Sequence, residues 1–567
     1  MSRTVTISNG LIPVAGRPWP APPPAEVAPR HPLRSASVIL VVLAAFCAVG
    51  GQLVRLAAKH EAAADISISA PIATGVARPD LVDRNGRLLA SDVEMPSLYA
   101  DPLAIVDRDE TVEKLRTVFP DLDDRALRET LADRSRRFEW VRRGLSPGVA
   151  QRVHNLGLPG LAFRQELRRA YPAGRLAGHV LGGVNVDNRA VAGIEQHLDA
   201  LGLVDPAFGA QPSTRAPVAL SLDVSVQHAL EQELADAVKT YRAKGAGGVV
   251  LDVETGEVIA SASLPRVDPA HPQASPRPEE IDRMSGGTYE LGSIFKLMTI
   301  AMALEQGAVT ADSLIDVSQP LKVGRFEIKD HHSSAAKLSV RDVFIKSSNL
   351  GAGQLALQAG AERQRAFLAS LGLTKRGHTE AGAIAAPLLP KTWGEIETIT
   401  IGFGHGLAVA PLQFAAAAAA LINGGEYVAP TFLKRSAGAQ IDRRRVVSEA
   451  TSAALREMMR ANVEERGGTG RRAAADGYAV GGKTGTAEIA VRGRYDNNAV
   501  IASFLGAFPI DKPRYLTLVM VFRPSRTPAS AGEITASHTA APVTRKLVSR
   551  IAPLLGLRPR QVVADSG

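Results

Sequence analysis

The pattern of hydrophobic and polar residues divides the chain into segments of different character. Residues 1–34 contain eight prolines and no hydrophobic period, which is typical of a disordered tail. Residues 35–54 form an uncharged run of 20 residues dominated by Val, Ile, Leu, Ala and Phe. As a helix this run would rise about 30 Å, the thickness of the hydrocarbon layer of a bilayer. We therefore predict a Pro-rich tail over residues 1–34 and a transmembrane anchor over residues 35–57.

The charge of the tail predicts the orientation of this anchor. Four arginines against one glutamate give residues 1–34 a net charge of +3, and positively charged flanks stay in the cytoplasm. Everything after about Lys59 is then expected outside the cytoplasm. A cleaved signal peptide is the alternative interpretation, but its apolar core is usually only about 7 to 15 residues long. A retained anchor is therefore favoured.

Residues 58–215 are charged and interrupted by glycine and proline, and this pattern predicts a region separate from the anchor. Short β-like pieces such as residues 80–83 precede turns such as residues 84–86. We find no compact catalytic pattern in this region. A basic cluster could bind an anionic partner, although a solvated face is the favoured interpretation; its members are Arg134, Arg136, Arg137, Arg142 and Arg143.

Residues 216–556 combine strands at both ends with helices between them. Apolar runs predict two hairpins and one further strand, at 247–253 with 257–262, 499–508 with 515–522, and 478–490. Helical stretches such as residues 412–422 lie in the middle. This order predicts an α+β domain whose antiparallel sheet is flanked by helices. Residues 557–567 remain as a C-terminal tail.

Composition narrows the kinds of protein that this chain can be. With 45% hydrophobic and 22% charged residues, it has enough apolar material to fold. Cys47 is the single cysteine, so an intramolecular disulfide and a thiolate-rich metal site are both excluded. The net charge is +9, and the tail carries +3 of it. The remaining charge is spread along the chain, and no nucleic-acid partner is expected.

A buried helix carries the first candidate for chemistry. Residues 293–306 are apolar on all sides, which predicts a buried helix that ends at Gly307. Ser293 and Lys296 are three residues apart and therefore share a face of this helix. Burial and the helix N-terminus lower the pKa of such a lysine, and its neutral amine can then take the proton of the serine hydroxyl. A Ser-x-x-Lys spacing is a weak signal when it stands alone.

Two further motifs strengthen this signal. Ser347, Ser348 and Asn349 follow a predicted helix that opens at Ser339, and they place a hydroxyl and a carboxamide near a helix end. Lys483, Thr484, Gly485 and Thr486 lie on the predicted strand 478–490, where Gly485 permits the close approach of a substrate backbone. Ser-x-x-Lys, Ser-x-Asn and Lys-Thr-Gly in this order form the signature of penicillin-binding proteins and class A β-lactamases.

Three other motifs point to different chemistry and are rejected. Residues 477–484 fit the P-loop pattern, but a P-loop needs a preceding apolar strand and a following helix, and residues 471–476 are polar. Asp330, His331 and His332 lack the spacing of a metal site and favour a solvated turn. Residues 402–406 lack the last glycine of a dinucleotide fingerprint, so a tight turn is expected.

Beyond these motifs, the chain resembles the class B penicillin-binding proteins of the division type over roughly residues 35–556. The region 58–215 resembles their pedestal, or dimerisation-type, domain, which implies an elongated, mixed β-rich fold, and the region 216–556 resembles their transpeptidase domain. Residues that carry the resemblance are Arg78, Asp83, Arg84, Asn85, Gly86, Leu89, Ala90, Arg169, Ala170, Tyr171, Pro172, Gly182, Gly193, Ile194, Glu195, Leu222, Asp223, Gln227 and the segments 289–293 and 540–543. Leu291 is a departure, since many relatives have proline there.

The resemblance implies a role for each motif residue. Ser293 is expected to be the acylated nucleophile that attacks D-Ala-D-Ala stem peptides, with Lys296 as its base. Ser347 would relay the proton to the leaving D-alanine, Asn349 would orient the substrate amide, and Lys483 would tune the charge of the site. Thr484, Gly485 and Thr486 would bind the end of the stem peptide that carries the terminal carboxylate. Backbone N–H groups of Ser293 and Thr486 would form the oxyanion hole, as charge developing on the carbonyl oxygen requires.

Further expectations concern location and partners. The resemblance implies an inner-membrane protein with a periplasmic catalytic domain, peptidoglycan stem peptides as substrate and β-lactams as inhibitors. It also implies association with a FtsW-type glycan polymerase and other division proteins, and it implies no metal or cofactor. The alternatives are an elongation-type transpeptidase, a β-lactamase or β-lactam sensor, a D,D-carboxypeptidase and an inactive cell-wall scaffold. No segment between Asn349 and Lys483 resembles the Glu-x-x-Leu-Asn pattern of a class A lactamase.

Overall fold

The computed structural model describes residues 37, 40–52, 55, 75–207, 211–272, 277–324, 326–330, 336–491 and 494–560. The chain divides into two compact units, Met1–Ile72 and Ala73–Gly567. In the first unit residues 40–52 are helical. Within the described ranges, no helix has both the length and the apolar character that a membrane crossing needs. The predicted tail and eight of the 23 residues of the predicted anchor lie outside these ranges, and both stay predictions.

The second unit begins with the region that the sequence marked off as residues 58–215. Its strands are β1 (Gly75–Ala77), β2 (Leu81–Val82), β3 (Leu88–Ala100), β4 (Glu139–Arg142), β5 (Leu161–Ala170), β6 (Gly183–Val184), β7 (Ala190–Ala192) and β8 (Asp205–Ala207). Its helices are α1 (Arg108–Val118), α2 (Asp124–Ala132), α3 (Pro147–His154), α4 (Gly178–Leu181) and α5 (Gly193–Ala200).

Strand β3 is longer than the short β-like pieces that the sequence pattern indicates in this region. This strand has 13 residues and pairs antiparallel with β5 from Ser91↔Ala170 to Ala100↔Leu161. Its buried side chains cluster at the two ends, whereas Val93 and Glu94 in the middle are exposed. Because the central residues lack an apolar alternation, the sequence pattern breaks there although the hydrogen-bonded ladder continues.

The basic cluster of this region is largely neutralised by nearby carboxylates. Arg137 pairs with Asp101 at 3.0 Å, and Arg143 pairs with Glu166 at 2.7 Å. Further pairs are Arg136 with Glu139 and Arg142 with Asp121. These contacts support the interpretation of the cluster as a solvated face rather than an anion site.

Three charged residues from the resemblance meet in the interior of the same region. Arg78 Nε lies 2.7 Å from Glu195 Oε2, and Arg169 Nε lies 2.8 Å from Glu195 Oε1; all three side chains have no exposed surface. Buried charges are tolerated only when they are paired and hydrogen-bonded, as these are. Arg78 also donates to the carbonyl oxygens of Asn188 and Glu195.

The boundary between the two regions is a shared sheet rather than a free linker. Strand β9 (Val218–Ala219) pairs in parallel with β2, and Leu81 lies opposite Val218. Beside this pairing, Asn85 Nδ2 donates to Asp223 Oδ2 at 2.8 Å. The backbone N–H of Val224 donates to Asp83 Oδ2 at 3.1 Å. The turn at residues 84–86 therefore rests directly on the first residues of the following region.

The remaining described residues form the predicted α+β domain. Its further strands are β10 (Gly245–Asp252), β11 (Val258–Leu264), β12 (Leu314–Asp316), β13 (Leu321–Val323), β14 (Phe326–Ile328), β15 (Lys337–Ser339), β16 (His378–Thr379), β17 (Gly382–Ala383), β18 (Glu426–Tyr427), β19 (Arg444–Arg445), β20 (Gly481–Val491), β21 (Arg494–Phe508) and β22 (Tyr515–Phe522). Its helices are α6 (Val224–Thr240), α7 (Lys296–Glu305), α8 (Val340–Ile345), α9 (Asn349–Ala359), α10 (Ala361–Ser370), α11 (Glu395–Gly402), α12 (Pro411–Ile422), α13 (Glu449–Glu464) and α14 (Ala540–Leu554).

The main sheet confirms both predicted hairpins and the late strand. Its five strands lie in the order β11-β10-β22-β21-β20, and every neighbouring pair is antiparallel. Strands from the two ends of the domain therefore form one sheet, and β20 lies at one edge of it. All eight residues of β22 are buried, as expected for a strand covered on both faces.

Two hydrophobic cores lie on opposite faces of this sheet. On β21, Leu505 and Ala507 belong to one core, whereas Phe504 and Phe508 belong to the other, as the two-residue period of a strand requires. The first core contains α7 and α12, and the second contains α6 and α14. The predicted buried helix is confirmed, because residues 296–303 of α7 are all buried.

Candidate active site

Ser293 lies in a tight turn in front of the buried helix rather than inside it. Residues Gly292–Phe295 form a 3₁₀ turn, and α7 begins at Lys296. The predicted helix start is therefore wrong by one turn. Gly292 has φ +55°, and a Cβ atom there would lie 2.8 Å from the carbonyl oxygen of Thr486. Glycine permits both the left-handed backbone and this close contact between the turn and β20.

The opposite side of this contact also requires glycine. A Cβ atom at Gly485 would lie 2.7 Å from the carbonyl oxygen of Leu291 and 2.8 Å from Ser503 Oγ. The Lys-Thr-Gly strand and the turn that carries Ser293 thus pack backbone against backbone. This arrangement brings the backbones of Ser293 and Thr486 to one place, as the predicted oxyanion hole needs.

The amine of Lys296 is the centre of the site. Its Nζ lies 2.8 Å from Ser293 Oγ, 2.8 Å from the carbonyl oxygen of Ser347, 2.7 Å from Asn349 Oδ1 and 3.2 Å from Ser347 Oγ. Lys296 is fully buried. The Ser-x-x-Lys and Ser-x-Asn motifs therefore meet, as the sequence predicted.

The contacts of Lys296 suit a neutral amine. The carbonyl oxygen of Ser347 and Oδ1 of Asn349 can only accept, so they take the two N–H groups of a neutral amine. The nitrogen lone pair is then left to accept the hydroxyl proton of Ser293. Burial lowers the pKa of Lys296 well below its ordinary value, the nearby Lys483 lowers it further, and Asp330 opposes the shift.

Ser347 has a left-handed backbone conformation, which positions it for its contact with Lys296. It lies between α8, which ends at Ile345, and α9, which begins at Asn349, and its φ is +62°. A left-handed conformation costs a residue with a side chain about 1 kcal/mol or more and occurs preferentially at functional sites. Here it turns both the carbonyl oxygen and the hydroxyl of Ser347 toward Lys296.

Lys483 reaches the same serine from the edge strand. Its Nζ lies 3.0 Å from Ser347 Oγ and 3.2 Å from the carbonyl oxygen of Thr484. Burial lowers the pKa of Lys483 to about 7. At neutral pH its amine therefore exchanges between the charged and neutral forms beside Ser347.

The two threonines of the motif lie on the opposite face of β20 from Lys483. Thr486 Oγ1 accepts a hydrogen bond from the backbone N–H of Ala536 at 3.1 Å. Its hydroxyl proton is consequently left for an acceptor such as a carboxylate. Thr484 Oγ1 instead lies 2.7 Å from Thr469 Oγ1.

Sequence reasoning missed the contribution of Asp330. Its carboxylate accepts hydrogen bonds from Ser348 Oγ at 2.7 Å, from the backbone N–H of Asn349 at 2.5 Å and from that of Leu350 at 3.0 Å. A carboxylate at this helix N-terminus satisfies N–H groups that have no partner within the helix. No local pattern signalled this contact, because Asp330 precedes Ser348 by 18 residues in the chain. His331 and His332 lie outside the described residues.

We predict that Asp330→Ala slows acylation of the site by about tenfold or more and lowers the melting temperature. The change leaves two backbone N–H groups at the start of α9 unsatisfied, which costs about 2 kcal/mol and displaces Asn349. Penicillin labelling kinetics and thermal melting are the measurements. Asp316→Ala, which removes an exposed carboxylate bound to Ser318, is the control and should change neither. Penicillin labelling of the Asp330 variant at the wild-type rate would contradict this positioning role.

The rejected motifs have other places in the structure. Lys483 and Thr484 lie inside strand β20, so residues 477–484 lack the helix that a P-loop requires. Residues 402–406 do form a tight turn, in which Gly404 N–H bonds to the carbonyl oxygen of Ile401 at 3.0 Å. The carbonyl oxygen of Gly404 in turn accepts from Gly292 N–H at 3.1 Å and supports the turn before Ser293.

Two family models match the chain in the regions just described. The penicillin-binding protein dimerisation domain matches residues 73–199, and the penicillin binding protein transpeptidase domain matches residues 246–549. The chain therefore belongs to the penicillin-binding proteins and carries their transpeptidase domain. The matched ranges lie within the regions 58–215 and 216–556 that the sequence distinguished.

Within this family the chain is similar to proteins named FtsI and PenA. It is 39% identical over 490 residues to the probable peptidoglycan D,D-transpeptidase FtsI of Caulobacter vibrioides, which covers 85% of this chain and 82% of that protein. It is 34% identical to the probable peptidoglycan D,D-transpeptidase PenA of Neisseria meningitidis, with 85% of each chain covered. It is 30% identical to the peptidoglycan D,D-transpeptidase FtsI of Escherichia coli, with 84% of each covered.

Proposed function

We propose that the protein is a septal peptidoglycan D,D-transpeptidase that works through an acyl-enzyme on Ser293. The observation that carries this proposal is the 2.8 Å contact between Lys296 Nζ and Ser293 Oγ inside the cluster of all three motifs. Relatives named FtsI support the division role over the elongation role. The same similarity argues against a lactamase, a sensor and an inactive scaffold.

In the first half of the reaction, Ser293 Oγ attacks the carbonyl carbon of the bond between the two D-alanines. The hydroxyl proton passes to Lys296 Nζ as the new C–O bond forms. Backbone N–H groups of Ser293 and Thr486 hold the oxygen on which negative charge develops. The C–N bond then breaks, and the leaving D-alanine takes a proton through Ser347 Oγ, which lies within reach of both amines.

In the second half, an amine of a neighbouring stem peptide attacks the ester carbonyl. The new C–N bond forms, Lys296 accepts the proton of the incoming amine, and Ser293 leaves with a proton regained from the site. The product is a peptide cross-link, and the enzyme returns to its starting state. A β-lactam enters the first half in place of the stem peptide, and its ester with Ser293 is resolved slowly.

Contacts of Asn349 support its role in holding the substrate. Its Oδ1 is occupied by Lys296, which leaves the Nδ2 group to donate to a substrate carbonyl. Thr484, Gly485 and Thr486 lie on the edge strand β20, and among the described strands none pairs with its outer side in the main sheet. An extended peptide can therefore align along this edge.

Replacing Thr486 by valine should weaken acylation by reagents that carry a carboxylate. A hydrogen bond to a charged group contributes about 1.5 to 3 kcal/mol, so we expect a loss of about 10-fold or more. The second-order rate of acylation by benzylpenicillin is measured beside that by its methyl ester. Thr486→Ser, which keeps the hydroxyl, is the matched control. Equal losses for both reagents would count against contact with the carboxylate.

We further propose that the anchor over residues 35–57 places the catalytic region in the periplasm and pairs with a FtsW-type glycan polymerase. The run contains small residues that allow another membrane helix to approach closely; they are Ala36, Ala44, Ala45, Ala48, Gly50 and Gly51. A passive tether is the alternative.

An anchor exchange separates these two roles. We predict that an unrelated membrane helix of equal length leaves penicillin labelling intact but fails to support division. The measurement is rescue of a strain depleted of this protein, with labelling of the same membranes as the control. Full rescue would show that the helix only tethers the enzyme.

The division role has its own test. A fluorescent penicillin and a tagged copy of the protein are located in living cells during depletion and rescue. Accumulation of the protein at the division site, with filamentous cells on depletion, is expected. Uniform distribution along the side wall, with loss of cell shape rather than of division, would favour the elongation role.

A further inference from the structure

A hydrogen-bonded chain behind the substrate strand connects α13 with Thr484. Asn462, near the end of α13, is fully buried, and its Nδ2 donates to the carbonyl oxygen of Gly482 at 2.8 Å. Its Oδ1 accepts from the backbone N–H of Thr469 at 3.0 Å and from Thr469 Oγ1 at 3.1 Å. Thr469 Oγ1 lies in turn 2.7 Å from Thr484 Oγ1.

The orientation of the Asn462 amide is fixed by its partners. The carbonyl oxygen of Gly482 can only accept, and the N–H of Thr469 can only donate, so nitrogen and oxygen of the amide cannot be exchanged. The backbone of Asn462 contributes as well, because its carbonyl oxygen accepts from Gly470 N–H at 3.1 Å. Asn462 thus holds Thr469 through its side chain and Gly470 through its backbone carbonyl oxygen.

The hydroxyl of Thr469 has two possible acceptors for its one proton. When it donates to Asn462 Oδ1, the Thr484 hydroxyl must donate to Thr469 and has no proton for a ligand. When it donates to Thr484 Oγ1, the Thr484 proton becomes free, and Asn462 Oδ1 keeps the N–H of Thr469 as its donor. The second arrangement is the one that a carboxylate beside Thr484 would stabilise, since each bond of such a chain strengthens the next.

We propose that Thr469 is a positioning residue that orients the hydroxyl of Thr484 toward the carboxylate of the donor substrate. Asn462 holds Thr469 in place and fixes the beginning of the edge strand through Gly482. The inference rests on the proposed transpeptidase function, because it assigns a ligand carboxylate to Thr484. Thr469 acts through Thr484 and takes no part in bond making.

The test compares acylation of the full-length protein by benzylpenicillin and by its methyl ester. Thr469→Val removes the hydroxyl at nearly constant volume, and we expect about a fivefold slower reaction with benzylpenicillin and little change with the ester. Thr469→Ser should restore most of the rate. Thr544→Val is the matched control, since its buried hydroxyl donates to the carbonyl oxygen of Ala540 within the same helix, α14. Thr469→Ala replaces the valine variant if the latter does not melt cooperatively.

A double-mutant cycle decides whether Thr469 acts through Thr484. In a Thr484→Val background, Thr469→Val should cause no further loss, because the residue that it orients is already gone. Equal slowing with both reagents, or losses that multiply in the double variant, would overturn the inference and assign Thr469 a merely structural role. Absence of acylation in the wild-type protein is a different result, because it would overturn the proposed function itself and the inference with it.

Discussion

Wild-type protein exposed to benzylpenicillin should gain the mass of one penicillin, and Ser293→Ala should gain none. The 3₁₀ turn positions the hydroxyl of Ser293, and Lys296 Nζ contacts it. Removal of this hydroxyl leaves the site without a nucleophile. Intact-mass spectrometry of the purified protein measures the adduct directly. Peptide mapping of the wild-type adduct then locates the modified residue.

Two controls make this result specific. Ser347→Ala keeps the nucleophile and should still form an adduct, although more slowly, because Ser347 is proposed only to relay the proton. Thermal melting of Ser293→Ala should stay close to the wild type, since the change removes one hydroxyl from a half-buried residue. An adduct that persists in Ser293→Ala, or no adduct in the wild type, would refute the assignment of the nucleophile.

Lys296→Ala should slow acylation by about 10³-fold while the protein remains folded. A general base typically contributes about 10² to 10⁴ in rate, and the Lys296 amine lies within hydrogen-bonding distance of Ser293 Oγ. Lys296→Met, which keeps the length of the side chain without the amine, should behave in the same way and separates loss of the base from loss of packing. Stopped-flow or gel-based labelling kinetics are read beside thermal melting. Acylation within about threefold of wild type, about 0.7 kcal/mol of barrier, would exclude Lys296 as the base.

The pH dependence of wild-type acylation follows from the same lysine. Because burial lowers the pKa of Lys296 well below its ordinary value, more of its amine is neutral and able to accept a proton than in an exposed lysine at the same pH. Acylation should therefore decline as the pH falls through the lowered pKa of Lys296 and the amine becomes protonated. A rate that increased on acidification would require a different base.

The sequence was a sufficient guide wherever a local pattern determines the structure. The hairpin around residues 254–256 and the strand pair around Asp511 follow from apolar runs separated by turn residues, and both are present in the sheet. The burial of α7 follows from its uniformly apolar surface. The three motifs predicted which side chains meet, because their spacing and order are specific.

Other parts of the site depend on contacts that no local pattern contains. Asp330 bonds to Ser348 and Asn349 from a separate segment of the chain, and Thr469 reaches Thr484 from the loop after α13. The left-handed backbone of Ser347 is also invisible in the sequence, since serine has no general preference for it. These features follow from the packing of distant segments around Lys296. The sequence pattern likewise did not reveal the full length of β3, because the centre of this strand is polar although its pairing with β5 is continuous.

The parallel pairing of β2 with β9 has a consequence for how the molecule responds to mechanical load. A force on the pedestal acts directly on the catalytic region, because strand β9 at the start of that region is hydrogen-bonded to β2 of the pedestal. The N-terminus of α6 receives Asp83 and Asn85 directly, and α6 packs against β10 and β11 of the central sheet. A displacement of the pedestal is therefore expected to reach the main sheet, of which β20 is an edge strand.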